Sequence, residues 1–491
     1  HDARASHDEP HHEAATRRSD SAPGIRKIGV AKTQKHEWMS ERVLRGGEIA
    51  RDYYAFRCPH SDQTSGYPVV ATVASRAPGG VLRHPVVRAI LVAELISALG
   101  VQMTFLALPW FVLKTTGSAT QMGLVLAVEL IPAALLGIPS ALVVQRIGVR
   151  RTLLHANLWR APLLAAVPLL HVADLLSFPV LLAIVFAVGV FNAPYLSAQR
   201  LLLPETFADD LSLVVQGNAM VESVARLGML LGPPLAGLAI GTLHAQNVLY
   251  INAATFATAY LILRWRLPVR PPRASATSPD GQGVFAGARY AWVNPRLRRI
   301  TLAAVLFGFF FPPLLASFPV LTHVRYGEDP RIAGLFYAAW GGGALIGTLA
   351  VLPAARRYEP LALSAIGAVG LAIPLWLLVL ELSVWQFALV LLVSGVFTPV
   401  LNAPVITLMM MLAPVELRAK VITFILSMNL LAGPVAYALT GPVLDRWGVP
   451  PLYVGVALGV SVAAGVLVTL ALERPPPPDE PLVPAPVPVP R

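Results

Sequence analysis

The sequence predicts an all-α membrane protein, with twelve transmembrane helices arranged as two pseudo-symmetric six-helix bundles. Three observations carry that prediction. The chain is 55% hydrophobic and only 13% charged, whereas a soluble domain usually carries about 25% charged residues. From Val86 onward, apolar runs alternate with short polar punctuation, and each run is long enough for a bilayer core that takes about 20 residues per helix. The chain also repeats itself: Asn192-Ala193-Pro194 followed by Pro204 recurs as Asn402-Ala403-Pro404 followed by Pro414, and the same offset carries Gly137 onto Gly347 and Arg146 onto Arg356.

In chain order, residues 1–80 show no sustained periodicity and read as a disordered N-terminal tail or upstream extension. The His7, His11 and His12 cluster there reads as part of a flexible polar tail rather than a metal site, and no metal or cofactor is expected. The first bundle is expected over 81–264, with runs at 86–113, 119–144, 152–173, 176–199, 213–243 and 247–264. A linker over 265–299 leads to the second bundle over 300–472, with runs at 300–324, 331–354, 361–381, 384–412, 417–444 and 449–472. Helix is the reading for all of them, because lipid offers no partner to backbone groups and the runs are far longer than barrel strands of about ten residues. In each bundle the Asn-Ala-Pro stretch is expected to close an apolar segment and open a polar loop. The remaining residues, 473–491, form a Pro-rich tail of polyproline type.

Charge sets the expected orientation. One side of the membrane collects Arg76, Arg83, Arg88, Arg146, Arg150, Arg151, the arginines of the linker, Arg356, Arg357, Arg418 and Lys420; the other holds Lys114, Arg325, Arg331 and Arg446. Positive charge stays in the cytoplasm, so both termini and the linker are expected inside a cell membrane. The formal charge of +11 therefore reflects topology and not nucleic acid, since the basic residues flank apolar runs. The single cysteine, Cys58, excludes a disulfide framework.

Two local patterns carry a family resemblance. After the second run the chain reads Ala141-Leu142-Val143-Val144-Gln145-Arg146-Ile147-Gly148-Val149-Arg150-Arg151, which resembles the G-x-L-x-D-R-x-G-R-R motif of the major facilitator superfamily in Arg146, Gly148, Arg150 and Arg151. Ala141 and Gln145 replace the motif's glycine and aspartate. The fifth run reads Gly228-Met229-Leu230-Leu231-Gly232-Pro233-Pro234-Leu235-Ala236-Gly237 and resembles that family's antiporter signature G-x-x-x-G-P-x-x-G-G, with Ala236 for one glycine. Small residues at spacings of three and four let a second helix approach closely, and the prolines loosen backbone bonding. The resemblance implies the major facilitator fold, with Arg146, Gly148, Arg150, Arg151, Gly228, Gly232, Pro233 and Gly237 as conformational motifs. It points towards the macrolide-efflux-like and siderophore-exporter-like branch, because the family's fourth-helix arginine is absent from 176–199. A better match to the first motif, Gly441 to Gly448, follows the eleventh run on the outer side, where it is expected to be a turn with a helix-end aspartate, Asp445.

Charges inside apolar runs are functional candidates because each costs about 2.5–3.5 kcal/mol on insertion scales. Glu129 has no cation on its own helix and suits a group that takes up and releases protons; Arg160 on the third run is its alternative static partner. Glu94 and Glu222 are further proton-coupling candidates. Glu94 is within bending reach of the cytoplasmic interface, and Glu222 is spaced to pair with Arg226. In the less charged second bundle Phe307 and Trp340, with the repeat amides Asn192 and Asn402, are candidates for the substrate cavity. An aromatic and amide wall suits lipophilic compounds better than sugars.

The expectation is a secondary transporter that exports small lipophilic molecules in exchange for protons, acts as a monomer, and has the lipid bilayer, substrate and protons as its partners. An importer or uniporter of the same fold, or a membrane sensor or scaffold, is the alternative. No G-x-x-x-x-G-K-[ST] loop supports an ATP-driven pump and no H-E-x-x-H supports an intramembrane enzyme.

Overall fold

The computed structural model describes residues 82–207, 210–268 and 286–473. The N-terminal tail with its histidine cluster and Cys58, the centre of the linker and the Pro-rich tail lie outside the described residues. Among the described residues there is no strand, and twelve spans are long and apolar enough to cross a membrane.

The first group of helices comprises α1 (Pro85–Thr116), α2 (Ala119–Ile147), α3 (Val149–Val172), α4 (Phe178–Thr206), α5 (Leu211–Leu243) and α6 (Ala245–Arg266). A short α7 (Ala286–Val293) precedes the second group: α8 (Pro295–Phe310), α9 (Pro312–Arg325), α10 (Pro330–Ala354), α11 (Pro360–Leu375), α12 (Val384–Leu412), α13 (Arg418–Trp447) and α14 (Val449–Leu472). Helix starts are marked by side chains that satisfy the first free N–H groups. Asp210 accepts from the Leu213 N–H, Asn294 from Arg296 and Leu297, and Asp329 from Arg331, while Ser383 and Gln386 form a reciprocal capping box on α12. Gly148 and Gly448 turn the chain from α2 into α3 and from α13 into α14 at φ of 89° and 76°. A side chain at either position would meet the steric penalty of the left-handed region.

Four boundaries differ from the sequence reading. Helix α4 continues through Pro204 to Thr206, so the first Asn-Ala-Pro stretch lies wholly inside a helix and the loop it precedes opens only at Phe207. In the second copy α12 does stop at Leu412, just before Pro414. The seventh span begins at Pro295 and breaks at Phe311 into α8 and α9, because Pro312 and Pro313 supply no N–H to the preceding turn. Helix α11 ends at Leu375 and passes into a 3-10 turn over Trp376–Val379.

The packing repeats as the sequence does. In the first group α1 packs on α5 and α6, α3 on α4 and α6, and α2 on α4. The second group pairs α8 with α13 and α14, α11 with α12 and α14, and α10 with α12. Between the groups α2 lies along α13 and α5 along α10. An aromatic cluster of Phe318, Phe336, Phe387 and Tyr453 fills the second group, with ring centroids 4.5–6.2 Å apart.

The groups meet tightly at the end that carries Thr116, Leu243 and Trp447, here called the closed end. There α9 reaches α1. Lys114 donates to Glu328 across the groups, and His323 lies 3.2 Å from the same carboxylate. At the opposite end, polar contacts such as Arg150 to the carbonyls of Arg264 and Leu267, or Arg299 to Glu473, join helices of one group. Leu142, Leu349, Leu352 and Met411 are exposed there.

Candidate functional site

Inside the first group, α1, α2, α3, α4 and α6 line a small cavity of about 40 Å³ whose lining includes Glu129, Arg160, Asn192, Asn252 and Thr104. Arg160, only 1% exposed, donates from each of its three guanidinium nitrogens. It donates to Asn192 Oδ1 at 2.9 Å, Asn157 Oδ1 at 2.8 Å and the Ala156 carbonyl at 3.3 Å. Its faces lie 4.1 Å from the Tyr195 ring centroid and 4.3 Å from that of Phe256. Hydrogen bonds to a charged group contribute about 1.5–3 kcal/mol each, and a desolvated cation–π contact about 2 kcal/mol. Amide oxygens and π faces therefore stand where a carboxylate would be expected.

Glu129 shares the cavity with Arg160, yet among the described residues no hydrogen bond or ion pair reaches its carboxylate, so the static pair with Arg160 is not formed. Glu94 also departs from expectation. It is 5% exposed and does not bend towards the interface, because donors are supplied within the bundle: the Tyr195 hydroxyl at 2.8 Å and Gln199 Nε2 at 2.5 Å. Tyr195 thus connects two charges, donating to Glu94 through its hydroxyl and carrying Arg160 on its ring.

The other candidates lie apart from this cavity. Glu222 and Arg226 pair at 3.4 Å on an exposed face of α5, and Arg226 also donates to Thr348 on α10 at 2.9 Å. Asn192 is committed to Arg160, whereas its repeat partner Asn402 is exposed. In the second group Phe307 packs on the core and Trp340 sits against Phe311 at 5.8 Å, its indole N–H buried without a partner among the described residues. Sequence reasoning missed Tyr195, Gln199, Asn157 as a ligand of the guanidinium, and Asn252. Tyr195 adjoins the repeated Asn-Ala-Pro stretch, which was the available signal, but a tyrosine in an apolar run reads first as packing.

The glycine motif on α5 is a packing seam. A Cβ at Gly228 would fall 2.8 Å from Ala98 Cβ, and one at Gly232 3.2 Å from the Gln102 carbonyl carbon, both on α1. At Gly237 it would fall 2.6 Å from the Pro330 carbonyl oxygen on α10. Pro233 lies inside the helix, with its carbonyl oxygen 2.8 Å from a Cβ built at Gly334. In the first motif Arg146 and Arg151 are exposed, while Arg150 ties the start of α3 to the end of α6 within one group.

A paired bundle of twelve spans, with buried charges and amides inside one group and a glycine seam between helices, defines a membrane transporter. The sequence profile of the Major Facilitator Superfamily matches residues 90–380, and the chain belongs to that family. It is 29% identical over 393 residues to the multidrug efflux pump Tap of Mycolicibacterium fortuitum, covering 78% of this chain and 94% of that protein. It is 26% identical to the pump of the same name from Mycobacterium tuberculosis, covering 78% and 93%. The staphyloferrin A transporter of Staphylococcus aureus matches at 25% over 261 residues, or 52% of this chain and 63% of that protein. Among solved structures, the nucleoside transporter NupG superposes with a TM-score of 0.66 at 14% identity, covering 80% of this chain and 100% of that one. A D-xylose-proton symporter superposes at 0.61 and 15% identity, covering 77% and 97%. At such identities the solved structures speak for the fold alone.

Proposed function

We propose that this transporter exports small lipophilic molecules from the cytoplasm in exchange for protons, with both termini in the cytoplasm and one chain as the working unit. The observation that carries the reading is Glu129: a carboxylate in an interior cavity beside Arg160, with no hydrogen-bond or ion-pair partner among the described residues. Such a group is free to exchange its proton with whatever the cavity admits, and Arg160, already held by Asn157 and Asn192, does not quench it. Similarity to the mycobacterial pumps supports export of more than one compound. Aromatic and thioether side chains in the second group, including Phe307, Trp340 and the exposed Met410 and Met411, support lipophilic substrates. Glu94, tied by Tyr195 and Gln199, is the second carboxylate of the pathway.

The test is substrate flux driven by a pH gradient in proteoliposomes. Glu129→Gln keeps shape and hydrogen bonding and removes titration. It is expected to bind substrate, to lose uphill flux by at least tenfold, and to retain downhill movement. Undiminished uphill flux in a folded Glu129→Gln protein removes Glu129 as the proton carrier. Rescue of a poorly folding Glu129→Gln protein by Arg160→Gln would instead show a static pair.

A further inference from the structure

The geometry points to Asp445 as the latch of the closed end: a positioning residue that holds α2 against α13 and sets how readily the transporter opens there. Its role is independent of the direction of transport and of the coupling ion.

Asp445 sits near the end of α13, in the Gly441–Gly448 stretch that the sequence marks as a motif match on the wrong side. It is not a simple helix-end residue. Its Oδ1 accepts the Ala119 N–H at 2.9 Å, and its Oδ2 accepts the Thr120 N–H at 2.8 Å and the Ser118 hydroxyl at 3.1 Å. All three donors belong to the start of α2, in the other group of helices. Ser118 in turn accepts the Gln121 N–H at 3.2 Å. Two orphan N–H groups of the first turn of α2 thus depend on a carboxylate that α13 delivers, and the positive end of the α2 dipole faces that charge. The backbones are brought close by glycine: a Cβ at Gly123 would fall 2.5 Å from the Tyr437 carbonyl oxygen, and one at Gly441 would meet Ala119 and Thr120.

Opening the closed end separates α2 from α13. Every Asp445 contact is then lost together, and α2 keeps only Ser118 as its own cap. No such aspartate stands at the corresponding turn between α2 and α3, where Gln145 precedes Arg146 and Gly148. There Arg150 bonds inside its own group. Among the described residues, the turn between α13 and α14 carries this chemistry and the turn between α2 and α3 does not, and in this conformation the end with α13's C-terminus is shut.

The experiment places spin labels at Asn247 on α6 and Pro451 on α14, one per group at the closed end, and reads their distance distribution in the full chain. The protein with Asp445 intact is expected to give one short-distance population. Asp445→Asn, which keeps the size but not the charge, is expected to raise the long-distance population about tenfold, and Asp445→Glu to restore the short one. Ala119→Pro deletes the N–H that faces Oδ1 at the first helical position, where proline is tolerated, and is expected to shift the population the same way. It keeps the test decisive where an Asp445 variant fails to fold. A control pair of labels within the first group should not move. An unchanged distribution in folded Asp445→Asn and Ala119→Pro proteins overturns the latch, as does an equal shift in the control pair, which would show general loosening.

Discussion

The seam between α1 and α5 gives the sharpest quantitative test, because one chemical change can be made where space is absent and where it is free. Gly228→Ala adds a methyl group whose carbon would lie 2.8 Å from Ala98 Cβ and 3.1 Å from the Ala98 carbonyl carbon. Carbon atoms pack favourably at about 3.5–4.0 Å, so the two helices must part by about 1 Å, and Ala98 has no rotamer with which to yield. Overpacking of this kind costs about 1–3 kcal/mol. Against it stands a gain of about 1 kcal/mol from replacing glycine by alanine in a helix. Gly465→Ala on α14 makes the same replacement with nothing within 4 Å of the new atom. The two variants should therefore differ by about 1–3 kcal/mol, with Gly465→Ala at or above the parent and Gly228→Ala at or below it. Thermal unfolding of both proteins in one detergent, with substrate flux in liposomes alongside, measures the difference. Gly232→Val, which crowds Gln102 with a branched side chain, should lower transport sharply. Equal stability of Gly228→Ala and Gly465→Ala, with full transport by Gly232→Val, would refute the seam.

Two further predictions concern sidedness and acid. With Cys58 removed, a single cysteine at the exposed positions Gly117 or Asn247 should react in intact cells with an impermeant thiol reagent, while one at Ile147 or Ser275 should react only after permeabilisation; labelling of Ile147 in intact cells would reverse the orientation. Glu328 lies outside the spans, and the hydrogen bond from Lys114, with His323 adding to it, holds its carboxyl below the usual range. A depressed carboxyl stabilises the closed end above the ordinary glutamate pKa of about 4.3, and the contribution is lost as pH falls through the lower folded value. The acid-side fall in thermal midpoint should therefore be smaller in Glu328→Gln than in the parent protein.

The spans, their number and the duplication were legible in the sequence because lipid forces every backbone group into helix and so makes hydropathy nearly sufficient. The break at Phe311 was visible as Pro312-Pro313, yet the apolar run continues through it and masks it. Among site residues, Glu129 and Arg160 were weighed as a pair and Asn192 apart from them, but the meeting of all three in one cavity without an ion pair is tertiary information. The partners of Glu94 were hidden for the same reason: Tyr195 and Gln199 are four residues apart on a helix more than a hundred residues downstream. Asp445 shows the opposite failure. Its motif was plain, but its assignment to a turn considered only its own helix, and its three donors belong to another.

The break in the seventh span has a consequence for what the middle of the membrane contains. Pro312 and Pro313 bring no N–H, so the carbonyls of Gly308 and Phe309 do not receive the donors that an unbroken helix would place four residues on. The carbonyl one turn earlier, Ala304, is already taken by the Asn429 amide at 2.6 Å. The Gly308 and Phe309 carbonyls lie halfway along a span of 31 residues, next to Phe307 and Phe311 in the chain, where hydrocarbon offers no N–H to replace the missing ones. Water, or a hydroxyl or ammonium group of a molecule that reaches them, would supply such a donor. Were the proposed export path to run along this part of the second group, a compound carrying a single N–H or O–H would pass these carbonyls more readily than one that is greasy throughout.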